Sequence, residues 1–125
     1  MNVVDSSGWL EYITDSPNAS MFAAPINRLQ DLVVPSITIA EVFRKMLHVS
    51  GEPLALKVAA QMRQGILVDL DASLAMDAAK IGHDARLPMV DSIILATARR
   101  YHAVLWTQDE DFQGIEGVRF VKKRV

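Results

Sequence analysis

Residues 90–106 read VDSIILATARRYHAVLW, and this stretch decides the fold class. Val90 to Tyr101 has helical periodicity with a nearly continuous apolar interior, and Ala103-Val104-Leu105-Trp106 follows at once as a buried-type strand. Helix and strand alternate upstream as well. Asn2 to Asp5 reads as a strand, and Ser6-Ser7-Gly8 supplies capping and turn residues before a helix bearing Trp9, Leu10 and Ile13. Asn18 to Leu29 reads as helical, with Pro25 expected to kink or break it. Leu32-Val33-Val34 is the second strand, ended by Pro35, and apolar spacings of three and four predict a helix from about Ser36 to Val49. Gly51-Glu52-Pro53 stops that helix and starts another that runs to Gln64, before a third strand over Ile66 to Leu70. A helix from Asp71 to Ala85 ends ahead of Pro88, Gln108 to Gly114 is a polar turn, and Val118 to Val121 forms the last strand.

Short apolar strands alternating with helices of about ten residues or more predict a single three-layer α/β/α domain over residues 1–125, with a central, mostly parallel sheet. Such open sheets bind ligands beyond the carboxyl ends of their strands. Asp5 ends the first strand and Asp109 lies just past the Ala103 strand, so two acids from distant sequence are expected at one sheet edge.

The absence of cysteine excludes disulfide frameworks, thiol nucleophiles and Cys-ligated zinc or iron–sulfur centres. His48, His83 and His102 share no ligand spacing, which argues against zinc. Half the residues are hydrophobic and mean hydropathy is +0.17, which predicts a folded chain with a real core. Trp9 and Trp106 read as core residues, and Met46 and Met76 as core filler or dimer contacts. The N-terminus has no basic region and meets a charge at Asp5, and the apolar run from Met89 to Ala98 is interrupted by Asp91 and too short for a bilayer span. The expectation is a soluble, cytoplasmic chain.

Net charge is −2, at first sight unfavourable for a nucleic-acid partner. If Asp5, Glu41, Asp91, Asp109 and Asp111 share one pocket, the 13 Lys and Arg residues face only ten remaining acids, and the surface is mildly basic around an acidic hole. Each acid also has an ordinary structural role open to it. Asp5 suits a helix cap, Asp91 suits a helix dipole, and Asp109 and Asp111 suit a turn. Glu41 and Asp91, however, sit among apolar residues on helices, where solvent is not an easy escape. Two carboxylates about 4 Å apart repel by ~4 kcal/mol at an effective dielectric of 20. Three such pairs rival a folding free energy of ~5–15 kcal/mol, so the cluster must take up protons or bind a cation. Magnesium, with manganese as a substitute, suits few carboxylates, several waters and a substrate phosphate.

Four segments together resemble the PIN-domain ribonucleases, and most closely the VapC-type toxins of bacterial toxin–antitoxin pairs. They are Val4-Asp5-Ser6-Ser7, Thr38-Ile39-Ala40-Glu41, Asp91-Ser92-Ile93-Ile94-Leu95-Ala96-Thr97-Ala98 and Thr107-Gln108-Asp109-Glu110-Asp111-Phe112, and their order spans essentially the whole chain. The resemblance implies a metal-dependent endoribonuclease in which Asp5, Glu41, Asp91 and Asp109 surround one or two divalent ions, with Asp5 and Asp91 as the first ligands. It assigns Ser7 and Thr107 as polar partners and Asp111 as an accessory acid or a turn former. It further implies single-stranded or structured RNA as substrate, a homodimer and a cognate antitoxin protein. Arg44, Lys45, Arg86 and Arg99 are candidate phosphate contacts, as are Arg100 and the run Lys122-Lys123-Arg124.

Two rival functions remain open on the residues alone. One is a magnesium-binding receiver domain, which would show paired acids after the first strand where this chain has Ser6-Ser7. The other is a catalytically silent PIN-like regulatory module, against which the retention of all four acids argues. A haloacid-dehalogenase-type phosphatase wants a second Asp at the position of Ser7, and a nucleotide-binding turn wants more glycines than Gly8.

Overall fold

In a β-strand successive side chains point to opposite faces, and that rule divides the apolar residues of this chain between two cores. The computed structural model describes all 125 residues. Its strands are β1 (Asn2–Val4), β2 (Leu32–Pro35), β3 (Ile66–Val68), β4 (Val104–Thr107) and β5 (Val118–Phe120). Its helices are α1 (Ser6–Ile13), α2 (Ala19–Ile26), α3 (Ser36–Ser50), α4 (Glu52–Met62), α5 (Ala72–Ala85) and α6 (Met89–Arg100). Val3, Val33 and Leu105 point to one face, where they meet Leu74 and Ala78 of α5 and Ile94, Leu95 and Ala98 of α6. Val4, Leu32 and Val34 point to the other and meet Trp9, Phe22, Val42, Met46, Val58 and Met62 from α1 to α4. The result is the expected three-layer α/β/α architecture.

All pairings are parallel and the strand order is β3-β2-β1-β4-β5. The chain leaves β1 in one direction to build β2 and β3, then returns to the other side for β4 and β5. The reversal falls between β1 and β4, where Val4 lies opposite Trp106, and opens a crevice beyond their carboxyl ends.

Some boundaries differ from the sequence reading, each for a local reason. Ser6-Ser7-Gly8 is the first turn of α1 and not a separate turn, because Asp5 itself is the cap and its Oδ1 accepts from Gly8 N at 3.0 Å. Pro25 sits inside α2, which ends one residue later at Ile26 instead of Leu29, and a short 3₁₀ turn over Leu29–Asp31 follows. β4 is shifted one residue, making Thr107 its last member. The polar turn after it contains a 3₁₀ turn, Glu110–Phe112, which buries Phe112 completely. Trp9 is core, but Trp106 is half-buried, with its indole N–H donating to Asn2 Oδ1 at 2.9 Å and Arg119 over its ring. Met46 is buried, whereas Met76 is 75% exposed and is no core filler.

α5 and α6 approach closely because Gly82 has no side chain: a Cβ there would run into the Ser92 hydroxyl and sit 3.0 Å from its Cβ. Ser92 cannot easily yield, since it is buried and its Oγ donates to Pro88 O at 2.8 Å. Gly82→Ala should therefore destabilise the fold by about 1–3 kcal/mol in urea unfolding, despite the better helix propensity of alanine. An unchanged midpoint would mean that the two helices separate without penalty.

Candidate metal centre

Four elements deliver carboxylates to the crevice. β1 ends at Val4 and hands Asp5 to its carboxyl edge; β4 ends at Thr107 and hands on Asp109 and Asp111; α6 contributes Asp91 from its first turn and α3 contributes Glu41. Carboxylate oxygens of Asp91, Asp109 and Asp111 lie within 4.8 Å of one another. Asp111, assigned only as an accessory, thus stands inside the tightest acidic cluster.

Asp5 is 2% exposed and held from both sides. Its Oδ1 accepts from Ser7 Oγ at 2.7 Å, and its Oδ2 accepts from Thr107 Oγ1 at 2.6 Å. The Asp109 backbone N–H donates to Thr107 Oγ1 at 2.9 Å, so one hydroxyl ties Asp5 to the loop that carries the other acids. Ser7 and Thr107 are thus the two side-chain hydroxyls that donate to Asp5. Glu41 is different: its buried Oε1 has no hydrogen-bond partner, nor has the hydroxyl of the fully buried Thr38 one turn earlier.

Burial and mutual repulsion raise these acids toward neutrality. Burial pushes Asp5 up to about 6, against the pull of Thr107, Ser7 and Gly8 hydrogen bonds, with the charge of Asp109 adding to the rise. Burial is also the main cause at Asp91, followed by Asp109, Asp111, Asp5 and Glu41, and carries it up to about 7. The α6 N-terminus favours an anion there, but four neighbouring acids and desolvation outweigh it. Glu41 is raised by burial and by Asp109, with the Ser6 hydroxyl opposing.

An all-oxygen donor set, closely spaced carboxylates and an orphaned buried carboxylate oxygen fit a hard divalent cation. No histidine belongs to the Asp91, Asp109 and Asp111 cluster; His83 lies beside Asp84 on exposed α5 surface, and His48 lines a hollow with Glu41, Arg44 and Lys45.

A second polar network backs the crevice and escaped the sequence reading. Glu11 accepts from Asn18 N at 2.8 Å and from Gln108 Nε2 at 2.9 Å, so both its oxygens are engaged. Asn18 Nδ2 donates to Gln108 Oε1 and to Lys122 O, and Arg124 Nε donates to Asn18 Oδ1. Gln108 N in turn donates to Ser7 Oγ. A continuous chain of hydrogen bonds therefore runs from residues 122–124 to Asp5. The signal that singled out Glu41, a carboxylate among apolar helix residues, also marks Glu11 in Trp9-Leu10-Glu11-Tyr12-Ile13. Asn18 and Gln108 have no such signal, because their partners are about a hundred residues away.

The candidate phosphate contacts separate. Arg44 and Lys45 are exposed on α3 and share a cavity of about 420 Å³ with Glu41 and His48. Arg86 caps α5 in a left-handed conformation, five residues before Asp91. Arg99, contrary to expectation, sits at the other end of α6, about 12 Å along the helix from Asp91, and reaches Glu116 O. Arg100 is likewise engaged there, with Asp77 and Asp71.

The sequence matches the family model described as the PIN domain over residues 3–118. The chain belongs to the PIN-domain family. No curated protein is a significant sequence match. Among solved structures it is similar to a toxin–antitoxin complex from Klebsiella pneumoniae, with TM-score 0.80, 20% identity, and 95% of this chain and 96% of that one covered. It is also similar to VapC20 of Mycobacterium tuberculosis, a sarcin–ricin-loop-cleaving toxin, with TM-score 0.75, 19% identity and both chains covered in full. DNA-bound VapBC from Salmonella typhimurium matches with TM-score 0.71, 17% identity and 98% of each chain. At these identities the likeness establishes the fold.

Two measurements test the centre. Between about pH 4 and pH 7 the folded chain holds protons on Asp5 and Asp91 that the unfolded chain, with ordinary values of 3.8, has released. Stability in EDTA should consequently fall as pH rises through that window, and Asp91→Asn should flatten the fall. Added magnesium should restore Tm near pH 7 because it binds only the folded cluster; a Tm that climbs from pH 4 to 7 in EDTA contradicts this assignment. Thr107→Val removes the donor to Asp5 Oδ2 and should weaken manganese binding about 10–100-fold by calorimetry. Unchanged affinity would reduce Thr107 to a packing residue.

Proposed function

We propose that this chain is a divalent-metal-dependent endoribonuclease and the toxin of a toxin–antitoxin pair. The observation that carries the reading is the convergence of Asp91, Asp109 and Asp111 within 4.8 Å, backed by buried Asp5 and by the unpartnered oxygen of Glu41. Membership of the PIN-domain family and the likeness to toxins support it.

Asp91, Asp109 and Asp111 would hold magnesium or manganese, with Asp5 and Glu41 completing the acidic shell. Such an ion, when bound, neutralises charge developing on a phosphodiester and acidifies water. Ser7 and Thr107 fix the Asp5 carboxylate and hold it in one orientation. Glu41, whose buried Oε1 has no hydrogen-bond partner, would be neutralised either by a proton or by the ion it helps to enclose. Arg44, Lys45 and Arg86 would hold flanking phosphates.

A receiver domain is disfavoured because Ser6 and Ser7 follow Asp5 where a second acid would stand. A silent regulatory module is disfavoured because it has no need to hold mutually repelling acids together. The antitoxin, a homodimer and a cytoplasmic site of action belong to the same proposal. Exposed Leu47, Val49, Leu54 and Leu56 on the α3–α4 hairpin offer apolar surface for a protein partner, and no helix is long and apolar enough to cross a membrane.

The purified chain should cleave RNA with magnesium or manganese and stop in EDTA, while Asp5→Asn and Asp91→Asn should each slow cleavage by orders of magnitude. Full activity in EDTA, or undiminished cleavage by both variants, would refute the nuclease reading.

A further inference from the structure

Gln108 is the one residue between the end of β4 at Thr107 and the crevice acid Asp109, and it grips α1 at two points one turn apart. Its backbone N–H donates to Ser7 Oγ at 3.2 Å, the hydroxyl that itself donates to Asp5. Its side-chain Nε2 donates to Glu11 Oε1 at 2.9 Å, and its Oε1 accepts from Asn18 Nδ2 at 3.1 Å. Glu11 Oε2 accepts from Asn18 N, which closes a ring of three buried side chains. The C-terminal segment shuts this ring from outside. Val121 N donates to Thr107 O at 2.9 Å, and Asn18 Nδ2 donates to Lys122 O at 3.0 Å. Arg124 Nε and Nη2 donate to Asn18 Oδ1 and Pro17 O, each at 3.1 Å. Glu11, Asn18 and Gln108 are left with no buried polar atom lacking a partner, in contrast to Thr38 and Glu41.

The loop that Gln108 begins is under load. It carries Asp109 and Asp111 into the company of Asp91, and like charge pushes it outward. Fully buried Phe112 pins its far end, and the bond from Thr107 to Asp5 pins its start. Gln108 ties the loop sideways to α1, so the firmness of that tie governs how closely Asp109 is held to Asp5. A site whose ligands already stand in place binds more tightly, because little ordering remains to be done when the ion arrives.

We propose that Gln108 is a positioning residue of the metal centre, and that Glu11, Asn18 and residues 122–124 form a clamp that acts through it to set the affinity for a divalent ion. The inference rests on the divalent-metal reading of the crevice and adds to it a control that lies outside the acids, with its outer end in the C-terminal segment.

The test titrates full-length proteins with manganese by calorimetry and records their Tm in EDTA. Gln108→Leu loses both side-chain bonds and should weaken manganese binding about tenfold. Arg124→Ala removes only the outermost anchor, on exposed surface where folding is not at stake, and should weaken it about two- to threefold. Glu11→Gln should weaken it too, because whichever way the new amide turns, its NH2 group faces a donor, Gln108 Nε2 or Asn18 N. Adding Gln108→Glu to that variant exchanges amide and carboxylate and sets every donor against an acceptor again. The exchanged pair should return to within about threefold of the parent. Val58→Ala, a core truncation on α4, which supplies no acid to the crevice, should lower Tm in EDTA and leave manganese affinity unchanged. Parental affinity in both Gln108→Leu and Arg124→Ala would overturn the clamp, whatever their Tm, and so would an exchanged pair no better than Glu11→Gln. A parent that binds no manganese would instead bring down the metal reading on which the clamp depends.

Discussion

Negative charge forced together at one edge of a parallel sheet is the constraint on which this structure turns. Parallel topology brings the carboxyl ends of β1 and β4 side by side, and the acids that follow those strands cannot avoid one another. Asp91 and Glu41 are added from helices whose apolar faces pack on the same sheet. A protein selected for stability alone would not gather them: buried carboxylates shift toward protonation or require a counter-ion. The rest of the molecule is arranged to tolerate this. Two separate apolar cores clamp the sheet from above and below, and the polar side chains near the crevice, Ser7, Thr107 and Gln108, are all committed to holding backbone and carboxylates in place.

Those polar residues divide the local electrostatics into two regimes. Glu11 and Asp5 are both nearly inaccessible, yet Glu11 has each oxygen satisfied by an amide or backbone N–H, and its role is structural. Asp5 is satisfied by hydroxyls and a helix N-terminus but also faces Asp109, and Glu41 is left with an oxygen that has no donor at all. Neither burial nor the supply of hydrogen-bond donors separates Asp5 from Glu11, since Asp5 accepts from three donors and Glu11 from two; what marks the crevice is the neighbouring carboxylate of Asp109.

Much of the fold was legible because its signals are local. Period-two strands and helical spacings in segments such as 32–34, 36–49 and 90–106 report directly on which faces are buried, and the all-parallel sheet follows from their alternation. The placement of Asp5, Asp91 and Asp109 was legible for a related reason, since strand ends and helix starts are themselves local features. What escaped was long-range. Nothing near Gln108 announces that it bridges Glu11 and Asn18, and nothing near Arg99 reveals that α6 carries it away from Asp91. Phe112 was hidden by its polar neighbours, and the inclusion of Asp111 depended on a single 3₁₀ turn between two loop acids. The exposure of Met76 shows the converse: a residue type common in cores, on a helical face that meets no partner within this chain.

The pairing of β1 with β4 has a further consequence in time. Asn2 through Val4 are made some hundred residues before their neighbours Val104 through Trp106, and residues 122–124, later still, lock the network behind the crevice. During synthesis Asp5 must wait beside an unfilled slot in the sheet while β2, β3 and six helices have already emerged. Contacts this distant in sequence make folding slow and late. The acidic pocket, and any chemistry it performs, is consequently acquired only after β4 and the segment behind it have been made.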